Sequence, residues 1–167
     1  RMRVNGRPSR TGPTAMVYLL FKLLHVVAVV LFLGNITIGV FWVRHAARLR
    51  SPPRLADAMA GVIRGDRVFT LPAVMVIIAS GGLAAWQGGW PVLRTGWIAW
   101  GVGLFVLSGL VFAALAPLQH RLRVLAAREG IGWEDCAPLL RRWNRIGIAS
   151  LLPAWLALAA MVLKVPA

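Results

Sequence analysis

Apolar positions fall into four long runs, and nearly all the charge lies between them. The first run is residues 17–43, VYLLFKLLHVVAVVLFLGNITIGVFWV, with no Asp, Glu, Lys or Arg from Leu23 to Val43 but one histidine, His25. At ~1.5 Å rise per residue such a run crosses a ~30 Å hydrocarbon core, which predicts a transmembrane helix. Residues 68–93 are again uncharged and predict a second span over 68–87, with Pro72 near its start and Gly81-Gly82 towards its end. A tight turn follows at Gln87-Gly88-Gly89-Trp90-Pro91. A third span is expected over 95–117, closed by Pro117, and a fourth over 146–164, with Pro153 inside it and Lys164 at its end. Pro72 and Pro153 lack an N–H and predict kinks in spans two and four.

The stretches between the runs read as loops. Arg44–Arg67 is broken by Ser51-Pro52-Pro53 and carries a short interfacial helix over Leu55–Val62; residues 120–145 form the second large loop, helical over 121–129. Trp86, Trp90, Trp97 and Trp100 cluster around the glycine turn, as amphipathic rings do at headgroup level. The fold class is therefore all-α: an integral membrane four-helix bundle. Residues 1–15 form a basic polar tail, expected to be disordered or surface-bound, and Met16 is an alternative start that would make them an extension. The first run is longer than the apolar core of a signal peptide and no small-residue cleavage site closes it, so it reads as a retained span.

Composition agrees with this pattern. Hydrophobic residues make up 59% of the 167, charged residues 14%, and the mean hydropathy is +0.72, which excludes a soluble domain. The 19 Lys and Arg against 5 Asp and Glu do not indicate nucleic-acid binding, because they flank membrane segments, where they set topology and meet anionic lipid headgroups. Twelve Arg lie in the two large loops. The positive-inside bias therefore places those loops in the cytoplasm and both termini outside. Cys136, expected in a loop beside Glu134 and Asp135, rules out an internal disulfide and carries no sign of reactivity. Asp66, between Arg64 and Arg67 at the start of span two, reads as a helix-end ion pair.

The candidate chemistry centres on His25. An ionisable group inside a span requires a partner, a cavity or a cofactor. Gly81, Gly82, Gly101 and Gly103 lie at similar depth and outline a slot for something flat, for which haem b is the natural candidate with His25 as metal ligand. Lys22, three residues before His25 on the same helix face, and Lys164 on the same side would reach haem propionates or snorkel to headgroups. His45 and His120 sit too far away in depth for a second ligand, and Met75 and Met161 miss the level by a turn or more, so the haem would be five-coordinate or tilted to reach a methionine such as Met75. The alternative is that His25 hydrogen-bonds a neighbouring carbonyl, Ser80 or Ser108, and that the glycines serve helix packing. The spans lack paired carboxylates and a Ser/His/Asp set.

The blocks FKLLHVVAVVLFLGN, GDRVFTLPAVMV, GGWPVLRTGWIAW and RRWNRIGIASLLPAWLALAAMVLKVP resemble an uncharacterised bacterial family of small four-helix membrane proteins, from about residue 17 to the end. More distantly the layout is similar to the copper-resistance protein D group and the HemJ-type protoporphyrinogen oxidases, through a K-x-x-H block at Lys22 and His25, a proline at Pro72 and a lysine at Lys164. The resemblance implies a haem-ligand position at His25. The HemJ pattern is incomplete here: Ile38-Gly39-Val40 stands where an arginine is expected, Trp97–Gly101 where a His and Lys are expected, and Val74, with Met75 next to it, where a methionine is expected. The reading that results is a haem b-associated protein of a bacterial inner membrane, an electron-transfer or accessory component. The alternative is a structural subunit packed in a larger respiratory or photosynthetic complex or a homo-oligomer. Copper handling is a third reading, which would need Met, His or Cys to converge at one depth.

Overall fold

The computed structural model describes residues 13–165, so residues 1–12 of the basic tail lie outside the described residues. The described chain is helical, with no strand: α1 (Pro13–Ala47), α2 (Pro52–Gly65), a π-helical turn (Asp66–Thr70), α3 (Leu71–Gln87), α4 (Gly96–Ala113), α5 (Leu115–Ala126) and α6 (Trp133–Leu163). Four of these units are long and apolar enough to cross a membrane: α1, α2 through α3, α4 through α5, and α6. The protein is an all-α, multi-pass integral membrane protein.

The helices run well past the expected spans. The stretch read as a first large loop is mostly α2, which continues through the π turn into α3 without leaving helical geometry. The second large loop becomes α5 and the first turns of α6. Pro117 does not end a helix. It sits in the first turn of α5, where no N–H is needed, after a break at Ala114. The irregularity near Pro72 falls one turn upstream of it, where Leu71 N–H reaches back to the Asp66 carbonyl, a π-type bond.

Length explains these extensions. About 20 residues cross a ~30 Å core. Counted from the turn at Gly88–Thr95, that distance reaches the level of Asp66, Gln119 and Trp143. Below this level α2, α5 and the start of α6 become amphipathic: Leu55, Met59, Leu122, Cys136 and Trp143 are buried with Val43 of α1, while all twelve arginines of this end are exposed. Cys136 is thus a fully buried helix residue rather than a loop residue. A second apolar cluster fills the membrane half, with Phe32, Leu33 and Ile36 of α1 against Ala73 and Ile77 of α3 and Ala154 of α6. Leu19, Leu20, Val30, Leu110 and Leu152, exposed around the bundle, form the surface that lipid covers.

Packing is pairwise: α1 lies chiefly on α3, and α4 on α6. Phe32 and Phe105 join α1 to α4 edge to face, with ring centroids 5.6 Å apart. Ser108 Oγ, fully buried on α4, donates to the Ser150 carbonyl of α6 at 2.8 Å, so two small side chains bring that helix pair together. At the turn, Gly89 has φ +65°, a conformation that disfavours a side chain, and Trp90 stacks edge-on to Trp97.

Candidate functional site

Among the described residues, two polar places within the bundle hold an ionisable side chain. The first is His25, about ten residues from the level of Asn35 and therefore near mid-membrane. Its Nδ1 lies 3.0 Å from the Ile77 carbonyl oxygen of α3 and 3.5 Å from Ser80 Oγ. A carbonyl only accepts, so Nδ1 carries the hydrogen and the Nε2 lone pair is left without a hydrogen-bond partner among the described residues. Ser80 Oγ itself donates to the Val76 carbonyl. Of the two serines considered as partners, Ser80 is the neighbour, and Ser108 is bound to Ser150 instead.

The glycines separate into two kinds. At Gly81 an added Cβ would lie 2.9 Å from His25 Cε1, so the imidazole itself rests on that glycine. At Gly101 it would lie 2.5 Å from Met161 Cε. Gly82 and Gly103 meet no protein atom within 4 Å and face outward. The four glycines therefore do not enclose one slot. Met75 is 69% exposed, Lys22 is exposed, and Lys164 lies over the Trp97 ring at 5.8 Å from its centroid. His45 stacks with Phe41 at 6.3 Å, and His120 is exposed at the far end.

These residues fit haem b only as far as one axial ligand. A ligating histidine normally gives its other N–H to a carbonyl or carboxylate, which fixes the tautomer, and the His25–Ile77 bond does this. Haem would supply a one-electron redox centre. Among the described residues no group of three or more His, Cys, Asp or Glu side chains could hold a bare metal ion.

The second place centres on Asp66, where the ion-pair expectation is corrected. The carboxylate meets three neutral donors: Asn35 Nδ2 at 3.2 Å and Thr70 Oγ1 at 3.1 Å on Oδ1, and Gln119 Nε2 at 2.9 Å on Oδ2. Asn35 Nδ2 also donates to Thr70 Oγ1 at 2.8 Å. Arg64 and Arg67 are exposed. The π turn puts Asp66 and Thr70 on one face, and Gly65 admits Asn35, whose Oδ1 would lie 3.0 Å from a Cβ there. The cluster lies between the two apolar cores, at the level where the hydrocarbon should end. Beside it is a cavity of about 20 Å³, lined by Asn35, Asp66, Gln119, Trp143 and Ser150 among others. Asn35 and Gln119 gave no signal in the sequence, because they lie 31 and 53 residues from Asp66 and only the tertiary fold joins them. The GDR block before an apolar run was the one visible trace.

The family model described as "Predicted integral membrane protein (DUF2269)" matches residues 19–165, and the chain belongs to that family. No curated protein and no solved structure matches the chain.

Proposed function

We propose that this member of the DUF2269 family is a haem b-associated protein of the bacterial inner membrane, an electron-transfer or accessory component ligated through His25 Nε2. The observation that carries the reading is the His25 Nδ1–H bond to the Ile77 carbonyl, which holds the ring and leaves a ligating lone pair at mid-membrane depth. Gly81 lets the imidazole lie against α3. Lys22, one turn before His25, is exposed and free to reach a propionate. With Met75 turned outward, one protein ligand is expected rather than two. Twelve exposed arginines at one end favour a cytoplasmic position for that end, beside anionic headgroups, with the Trp-rich turn outside.

The test is an absorption spectrum of protein purified in mild detergent, oxidised and then reduced with dithionite. A Soret band with sharp reduced α and β bands, lost in His25→Ala, is the expected result. A colourless preparation sinks the reading, and an unchanged Soret band in His25→Ala moves the ligand elsewhere.

A second reading, a structural subunit of a larger complex or homo-oligomer, is favoured by the outer face of α4. There Ala99, Trp100, Gly103, Leu104 and Leu107 line an open apolar groove. Small residues of this kind let another helix approach closely. A colourless protein that purifies with a stoichiometric membrane partner supports this reading over the first.

A further inference from the structure

The Asp66 cluster belongs to neither reading. Trp143 is 2% exposed, lines the cavity beside Asp66, and its Nε1–H has no partner among the described residues. A buried donor left unpaired is costly, and native proteins satisfy such groups with protein or water. The cavity, about 20 Å³, has room for one water, which needs about 10–15 Å³ and two or more polar neighbours. Trp143 supplies a donor and Asp66 an acceptor among the residues that line it.

The chemistry also limits what else the site can take. Asn35, Thr70 and Gln119 all present hydrogens to the carboxylate, and the unpaired group in the cavity is another N–H. A metal cation needs several oxygens and would face this ring of donors. A larger solute does not fit the volume. A proton does, because it needs one oxygen.

We propose that this cluster is a proton-binding site, in which Asp66 takes up a proton from bulk water and one bound water bridges the Trp143 indole N–H to its carboxyl group. In the ionised state the carboxylate accepts from Asn35, Thr70, Gln119 and the water. When a proton arrives on the carboxylate, the new O–H donates to the water. The water then accepts from Asp66 and Trp143 with its two lone pairs. The lining comes from α1, α2, the π turn, α4, α5 and α6, and Asp66 is its sole titratable group; Arg64, Arg67, His120, Arg141, Arg142 and Arg145, nearest in sequence to the lining, are exposed. Uptake is therefore set by the local hydrogen bonds and the water rather than by a facing charge.

The chain has three aspartates, Asp57, Asp66 and Asp135, and the first and last are exposed. The experiment is infrared difference spectroscopy of the full chain in lipid vesicles between about pH 4 and about pH 9, with the aspartate carboxyl carbons isotope-labelled. The expected result is a labelled protonated-carboxyl band, separate from that of the exposed pair. It moves in heavy water, is lost in Asp66→Asn, and shifts in frequency in Trp143→Phe. Labelled bands that all titrate with the exposed pair, or an Asp66 that stays ionised throughout, overturn the proposal and leave a structural water only. A band lost in Asp66→Asn but unmoved by Trp143→Phe overturns the water bridge. Should Asp66→Asn not fold, the isotope label and Trp143→Phe decide alone.

Discussion

The imidazole of His25 lies directly on Gly81, close enough that a Cβ at that glycine would come within 2.9 Å of Cε1 and 3.0 Å of Nδ1. The histidine is thereby both seated and oriented by α3, through a missing side chain at one residue and a backbone carbonyl one turn before it.

Gly81→Ala should therefore push the ring off the helix and break the bond to the Ile77 carbonyl. The rigid ring cannot yield as a flexible chain would, so a cost of about 1–3 kcal/mol is expected. Gly82→Ala, which meets nothing within 4 Å, should stay within about 0.5 kcal/mol of the parent protein. Unfolding in mixed micelles measures both. Equal losses in the two variants would contradict the seating of His25 on Gly81.

Gly101 and Gly103 make a second matched pair on α4. A Cβ at Gly101 meets the Met161 side chain, whose far end is flexible, so Gly101→Ala should be tolerated at a cost below about 1 kcal/mol. Gly101→Val should cost more, about 1–3 kcal/mol, because α6 must then move. Gly103→Val faces outward and should leave stability unchanged in a monomer. A loss of association in that variant, seen by size-exclusion chromatography, would instead identify the α4 groove as a contact surface.

Ser108→Ala removes the hydrogen bond to the Ser150 carbonyl, which is fully buried. Hydrogen bonds between membrane helices are worth about 0.6–1.7 kcal/mol, and a loss in that range is expected from unfolding curves. Ser108→Gly should lose at least as much, since it also weakens the helix.

Cys136 is 0% exposed, packed on the core where α2, α5 and α6 meet below the membrane level. It should resist alkylation by a maleimide in the folded protein and react once the basic end opens. Rapid labelling without denaturant would contradict the close packing of that end. The same cysteine is thus a native probe for whether that end unfolds separately from the spans.

The four apolar runs were long enough that the membrane class, the all-α fold and the four crossings followed from the chain alone. A charge-free run of 20 residues has few alternatives in lipid, because every backbone group must be satisfied within the helix. The exposed position of the arginines at one end was equally open to reading. Where the helices would stop was not. Asp66, Pro72 and Pro117 mark ends by local rules, but α2, α5 and the first turns of α6 find apolar partners in one another, and burial of Leu55, Leu122 and Trp143 outweighs those signals.

The same division runs through the sites. His25 stood out as an ionisable residue in an apolar run, a one-dimensional fact. That its partner is the Ile77 carbonyl, that Gly81 is filled by the ring and Gly101 by Met161, and that Asp66 meets Asn35 and Gln119 rather than arginines are relations between residues far apart in the chain. Periodicity and charge determine which segments enter the membrane, since transfer from water depends on each segment's own composition. Which side chains then meet depends on helix rotation and register, and those are decided only when the helices pack.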